Sequence, residues 1–409
     1  MPSQVRVIVR TKPTDNPSTA FRALSDNVVS ITRPVAPRPG VASGDQPVAK
    51  EETLSFPVAA VLNNASQEAV YTTAASPMVE SFLQGYNCTL MCFGQSGSGK
   101  THTLFGGDAY PLRGCVPRAL EVLFDVIRTS TERRYTVKIT FVEVYGEQLF
   151  DLLGKNKSAS AFSTNPKNAN ASRKNAHGNT PNDCGNKATV TIDGSGNAVL
   201  RGVEERLCAT EAEALGTVFE GLQRRLSSPS YLNPNSSRSH AVLTLYLVST
   251  SLLDSDALTH HSRFNFVDFA GSERATVDDG KQDVQMINRS IVMLEQVVLA
   301  MASSHPRHVP YRQSKLTMLL KNSLSGECFI TLIATLWPQH EYLDATLSTL
   351  NFAKRMMRVE SKPTQNTSMD TEAQVRMLQK QVNSLKSELR MQDQLAGRVA
   401  VPTAPLESD

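Results

Sequence analysis

The run Gly94-Gln95-Ser96-Gly97-Ser98-Gly99-Lys100-Thr101 has the residue types and the spacing that bind a phosphate chain. It fits G-x-x-x-x-G-K-[ST], a P-loop. Glycines let successive backbone N–H groups turn inward around phosphate oxygens. A helix beginning where the run ends adds its positive N-terminal end. Lys100 is then placed to reach the β/γ-phosphates, and the Thr101 hydroxyl is a Mg²⁺ ligand. The bland alternative is a glycine-rich surface turn. The apolar run Thr89–Phe93 just before the motif, and helical spacing after it, argue for a strand, a cradle and a helix instead.

Two later segments carry complementary chemistry. Asn233-Pro234-Asn235-Ser236-Ser237-Arg238-Ser239-His240 packs hydroxyls and a guanidinium just before a strand. Asp268-Phe269-Ala270-Gly271-Ser272-Glu273 follows an apolar strand. An Asp at that place is where a P-loop NTPase holds Mg²⁺ through water. Gly271 lets the backbone approach a γ-phosphate closely. Arg238 and Glu273 are opposite charges on the two segments, suited to latch them together when ATP is bound.

These groups need a scaffold, and the hydrophobic pattern supplies one. Strands are predicted at 5–10, 89–93, 135–145, 241–248, 263–269 and 329–336, and helices at 66–85, 117–128, 209–224 and 284–302. Their alternation points to an α/β sheet covered on both faces. Residues 33–50 hold four prolines and read as an irregular surface loop. Residues 154–187 are rich in Asn, Ser, Lys and Gly, with Phe162 the one large apolar side chain. Such a stretch cannot offset its ordering entropy and reads as a disordered insert. It carries Lys155, Lys157, Lys167, Arg173, Lys174 and Lys187 against Asp183 alone, suited to a weak electrostatic tether unless it is inert padding. After residue 360, Val375, Leu378, Val382, Leu385 and Leu389 repeat at 3-4-3-4 spacing, a coiled-coil seam or a lone amphipathic helix.

Composition excludes several classes. The 409 residues carry 42 Lys+Arg and 39 Asp+Glu, a net charge of +3, and the 154–187 segment accounts for more than all of it. The remainder is no globally basic nucleic-acid binder. No apolar run approaches the ~18 residues of a membrane span, and the first residues form no apolar signal segment. The six cysteines contain no CxxC pair, so no zinc site is expected. Neither nucleic acid nor a membrane is an expected partner.

GQSGSGKT, NPNSSRSH and DFAGSE resemble the P-loop, switch I and switch II of the kinesin motor domain. Arg10-Thr11-Lys12-Pro13 is similar to that family's adenine-side segment, with Lys12 for a second Arg, and His102 follows the P-loop as in many kinesins. Arg10 to Asp15 and Leu294-Glu295-Gln296 are most similar to the kinesin-9 subfamily, whose members are associated with cilia and flagella. The resemblance implies a P-loop NTPase kinesin motor fold, α/β, with a central mostly parallel or mixed β-sheet and helices on both faces. It implies ATP or ADP with Mg²⁺ as cofactors. Arg10, Lys12, Pro13, Gly94, Gln95, Ser96, Gly97, Ser98, Gly99, Lys100, Thr101, His102 and Asp268 would bind the nucleotide. Thr101 and Ser237 would hold Mg²⁺, with Asp268 acting through water. Ser236, Ser237, Arg238, Gly271 and Glu273 would form the catalytic set.

The same resemblance implies microtubules as partner, met by His308 to Thr317 and the basic residues Lys281, Arg289, Arg307, Arg312, Lys315 and Lys321. It divides the chain into a motor domain (1–356), a neck-linker-like segment (357–371), a short helix (372–396) able to pair with a second copy or an axonemal partner, and a disordered tail (397–409). The expected location is the cytoplasm and cytoskeleton, in the axoneme of the cilium or flagellum. The chain departs from the family between Arg274 and Ile287, where the loop is short and Lys281-Gln282-Asp283-Val284 stands in place of Leu-Lys-Glu-Ala. That region links the nucleotide pocket to the filament-facing helix. An alternative is therefore a structural microtubule-binding protein with slow turnover and no stepping.

Overall fold

The computed structural model describes residues 3–34, 51–154, 186–227, 238–252, 258–273, 282–303, 308–368 and 371–395. Ser236, Ser237, Lys281, Arg307, most of the basic insert and the 397–409 tail lie outside them. The main sheet is built from β1 (Arg6–Thr11), β2 (Ala60–Leu62), β3 (Cys88–Phe93), β4 (Arg133–Tyr145), β5 (Gln148–Asp151), β6 (Asn186–Ile192), β7 (Ala198–Arg201), β8 (His240–Ser251), β9 (Thr259–Asp268) and β10 (Phe329–Leu336). Their spatial order is β7-β6-β5-β4-β8-β9-β3-β10-β1-β2. The helices include α1 (Lys100–Leu104), α2 (Cys115–Thr129), α3 (Glu211–Ser227), α4 (Gln282–Met301), α5 (Lys315–Leu319), α6 (Leu343–Met356) and α7 (Thr371–Leu395). No described helix is long and apolar enough to cross a membrane.

The sheet is mixed. From β9 through β3, β10 and β1 to β2 the strands run parallel. From β9 through β8, β4, β5 and β6 to β7 they run antiparallel. All six residues of β3 are buried, as a parallel strand covered on both faces requires. The period of two sorts its neighbours onto two cores. Val7, Val9, Met91 and Phe93 face one core with Leu294 and Val297 of α4, Leu316 of α5 and Phe352 of α6. Ile8, Leu90 and Cys92 face the other with Phe82, Leu104, Leu120 and Val218.

Most predicted elements are present, with differences at the edges. The helix expected over 66–85 begins with Ser66 capping Ala69, and Tyr71–Ala75 forms a π-turn within it. Of the segment read as a loop, residues 33–50, Arg33 and Pro34 end a strand, and 35–50 lie outside the described residues between two strands. Phe21–Ser25, Val28–Pro34 and Glu51–Pro57 form a separate antiparallel three-stranded sheet. Its outer strands are mostly exposed, so their hydrophobic alternation is faint. The basic insert is narrower than expected. Gly154 is described, and Asn186 and Lys187 already pair with Asp151 and Phe150.

Beyond α6 the chain returns along the sheet. Glu360 and Ser361 pair antiparallel with Gln4 and Ser3. Thr367 and Ser368 pair with His260 and Thr259. The 25-residue helix α7 follows, with Val375, Leu378, Val382, Leu385 and Leu389 exposed.

One buried side chain ties three of these elements. His240, at the head of β8, accepts the Ala270 backbone N–H at Nδ1 (3.1 Å). The proton of a neutral ring therefore sits on Nε2, which lies 2.8 Å from the Ser290 hydroxyl of α4. Burial, followed by the cations Arg225 and Lys100, pushes its pKa down to about 3. The unfolded chain thus binds a proton below pH ~6.5 that the folded chain refuses. Stability from this site is complete above that pH and is lost on acidification, by up to ~1.4 kcal/mol per pH unit. Denaturation between pH 7 and pH 5 is expected to show a shallower slope for His240→Gln than for wild type. An equal slope would contradict the assignment.

A second link joins the phosphate-loop strand to the last core helix. The Phe93 ring stacks on Phe352 (4.1 Å, 25°) and meets Phe269 edge-on (5.7 Å, 75°). Phe352→Ala would leave a cavity at this junction. The expected loss is about 3–5 kcal/mol, read from a urea unfolding curve.

Candidate nucleotide site

β3 ends at Phe93, and the chain turns directly into the glycine-rich loop, with α1 starting at Lys100. Gly94, Gly97 and Gly99 have φ of 156°, 75° and 101°. These left-handed values suit glycine and aim backbone N–H groups into a concavity. Around Gly99 a Cβ would meet nothing within 4 Å, so the cradle is open there.

Lys100 is 6% exposed, and its Nζ donates to the carbonyl oxygens of Gly94 and Gln95, each at 2.8 Å. Burial lowers its pKa, and Asp268 and Glu273 pull it back up. The Thr101 hydroxyl donates to Asp268 Oδ2 at 2.6 Å. Asp268 is placed by strand register, since β9 pairs with β3 so that Asp268 lies opposite Cys92. Its Oδ2 also accepts from Arg225 Nη1 at 2.7 Å, within an ion pair whose side chains are 1% and 2% exposed. Its Oδ1 is buried and has no hydrogen-bond partner among the described residues.

The chain after Asp268 runs beside the loop. Phe269 N–H donates to Cys92 O (3.3 Å), and Ser272 N–H donates to Gly94 O (3.1 Å). Glu273 accepts from the Ser96 backbone N–H at 2.8 Å and from the Ser96 hydroxyl. A Cβ on Gly271 would fall on the Ser96 hydroxyl and the Glu273 carboxylate, so a larger residue here would have to displace the Ser96–Glu273 contact.

Magnesium fits this donor set. The Thr101 hydroxyl and the orphaned Asp268 Oδ1 are hard oxygens beside the phosphate cradle. Among the described residues no three His, Cys, Asp or Glu side chains gather. The described residues thus offer two oxygens, which suits an ion that keeps waters and takes phosphate oxygens.

In the segment expected to face adenine, Arg10 Nη1 donates to Gln67 Oε1 and Thr103 Oγ1, each at 2.8 Å. Gln67 Nε2 in turn donates to the carbonyls of His102 (2.7 Å) and Leu112 (3.0 Å). His102 and Pro13 are exposed, and the Lys12 ammonium lies over the Trp337 ring. Arg238 is partly exposed at the head of β8. Among the described residues no ion pair joins it to Glu273, whose carboxylate is held by Ser96. Sequence reasoning missed Gln67, Trp337 and Arg225. The last also donates to Ser239 O at 2.9 Å. Its only sequence signal is a second arginine at the end of an amphipathic helix, which reads as a solvated face.

The expected filament face divides. Arg289 of α4 and Arg312 are exposed, and Lys315 is partly so. Glu147 fixes this end by accepting the Lys315 backbone N–H at 2.8 Å. Lys321 turns inward, its ammonium on the Gly196 carbonyl.

The family model for the kinesin motor domain matches residues 20–359. The chain is 35% identical over 411 residues to the mouse kinesin-like protein KIF9, covering 99% of this chain and 48% of that protein. It is 34% identical over 414 residues to the kinesin-like protein KLP1 of Chlamydomonas reinhardtii, covering 99% and 49%. It thus spans about half the length of the curated relatives it matches. The solved structure of a fast kinesin superposes with a TM-score of 0.72 at 24% identity, covering 90% of this chain and 95% of that one, a likeness of fold. With the phosphate loop, the Asp268 strand end and the Gly271 approach in place, the chain belongs to the kinesin motor domain family.

Proposed function

We propose that this chain hydrolyses MgATP and couples turnover to binding on microtubules. The observation that carries this reading is the convergence of Lys100, Thr101, Asp268, Gly271 and Glu273 on one open glycine loop. Lys100 would exchange the carbonyls of Gly94 and Gln95 for the β/γ-phosphates. Thr101, with Ser237, would hold Mg²⁺, and Asp268 would act through water. The ion, when bound, neutralises charge on the phosphates. Ser236, Arg238 and Glu273 would position the attacking water and relay its proton, with the Glu273 carboxylate as the acceptor, once Glu273 leaves Ser96 for Arg238. Phosphoryl transfer depends on such positioning and charge stabilisation more than on covalent chemistry.

Arg289, Arg312 and Lys315 would meet the acidic filament, with Lys281 and Arg307 beside them in sequence. Residues 1–356 would be the motor, 357–371 a neck linker, and 372–396 a helix whose apolar stripe pairs with a second copy or an axonemal protein. Membership of the kinesin motor family supports a place on the cytoskeleton, and the kinesin-9 resemblance one in cilia or flagella. A second reading, a slow nucleotide-binding filament protein, is favoured by the Ser96–Glu273 contact and by the short segment after Arg274. Steady-state ATPase with and without microtubules separates the two, since only a motor is stimulated.

Lys100→Ala is expected to abolish turnover, because the transferring phosphate loses its main cation. Wild-type turnover in that variant would refute the phosphate site. For the filament face, the double variant Arg312→Ala/Lys315→Ala is expected to weaken microtubule co-sedimentation, most strongly at low salt. Wild-type affinity across the salt series would refute this face.

A further inference from the structure

Trp337 is the one tryptophan among the 409 residues. It stands just past the carboxyl end of β10, between β1 and β3 in the parallel half of the sheet. Open α/β sheets bind ligands at the carboxyl ends of their strands. Three contacts converge on the indole. The Lys12 ammonium lies 3.6 Å from the ring centroid. Tyr342 stacks on the ring, with centroids 4.4 Å apart and planes at 27°. On the phosphate-loop side, a Cβ on Gly97 would stand 3.0 Å from an indole carbon. The backbone holds the ring in place: Thr346 of α6 donates its hydroxyl to Trp337 O at 3.0 Å, and Lys12 N–H donates to Leu336 O at 2.8 Å.

One ring therefore touches both the base-side segment and the outer bend of the phosphate loop. Ser96, at the same bend, is held from its other neighbour by Glu273. A lysine is long and flexible, and an ammonium parked over an indole loses that freedom before any ligand arrives. Tryptophan is the strongest aromatic partner for such a cation. A preformed contact of this kind lowers the ordering cost of binding.

We propose that Trp337 is a positioning residue of the nucleotide site: it fixes Lys12 and backs the Gly97 bend, so that the base side and the phosphate side of the cradle keep a fixed separation. The inference rests on the nucleotide-site reading above. Lys12 acts on the nucleotide, and Trp337 acts through Lys12 and Gly97.

The lone indole makes the test direct. Titrating the wild-type chain with MgADP is expected to change Trp337 emission in a saturable way. By calorimetric titration with MgADP, Trp337→Ser is expected to bind roughly three- to tenfold more weakly, the size a partly exposed cation–π contact supports. Trp337→Phe is expected to restore most of the affinity. Lys12→Ala is expected to weaken binding to a similar extent, and its loss should not add to that of Trp337→Ser. In turnover the loss is expected to fall on KM for ATP more than on kcat. A ring that only packs the surface would lower stability and leave the affinity and the emission titration flat. If Trp337→Ser fails to fold, Lys12→Ala and the wild-type emission decide. Wild-type affinity in a folded Trp337→Ser, or in Lys12→Ala, overturns the proposal, as do additive losses. If MgADP binding is lost in Lys100→Ala but unaltered in Trp337→Ser, only this inference falls. If the wild-type chain binds no MgADP, the site reading falls with it.

Discussion

The carboxylate of Asp268 sits at 1% exposure with one oxygen shared by an arginine and a threonine and the other unclaimed by the described residues. Burying an ion there is costly unless a partner of opposite charge is buried with it, and losing one member of such a pair costs about 3–5 kcal/mol. Arg225 therefore has to arrive from the end of α3 with its guanidinium already aimed. The register of β9 on β3 has to deliver Asp268 beside Cys92. α1 has to begin where the Thr101 hydroxyl can reach it. Three elements far apart in sequence are bound to one carboxylate, and the rest of the nucleotide site follows from that placement.

The same corner holds two buried cations, Lys100 and Arg225, and a histidine kept neutral beside them. Among the described residues the Lys100 ammonium donates to two carbonyl oxygens. The carboxylates that act on it, Asp268 and Glu273, are held by Arg225 and Thr101 and by Ser96. An incoming phosphate chain would complete the charge balance that Asp268 begins.

How much of this was legible in the sequence depends on how local each signal is. The glycine loop could be read because its chemistry lies in eight consecutive residues. Asp268 could be read because an acid at the end of an apolar strand is unusual. The long strands and the helices α2 to α4 announced themselves by period. Arg225 gave no such sign, because its partner lies 43 residues away and only tertiary packing buries it. Lys321 counted as a surface charge until the Gly196 carbonyl captured its ammonium. Trp337 follows β10 in sequence, and nothing local places it against Lys12. The three-stranded sheet was faint because exposed strands carry little hydrophobic alternation.

The returning segment after α6 is attached in a different manner from everything before it. Two ladders of two residue pairs hold it, at Ser3–Gln4 and at Thr259–His260. Between the ladders single contacts hold it, among them Lys362 N–H to Gly326 O, Gln365 Nε2 to Gln84 O at 2.6 Å, Asn366 N–H to Gly85 O at 3.0 Å and His261 N–H to Asn366 O at 2.9 Å. β8, by contrast, is paired with β4 from His240 to Ser251 and with β9 from Ala241 to Ser249. Segments with few buried contacts open by local fluctuation at a fraction of the global unfolding energy. Amide hydrogens of residues 360–368 therefore belong to a separate, weaker cooperative unit than those of β8. Opening from Glu360 onward would carry α7 with it and leave the core that grips Asp268 folded.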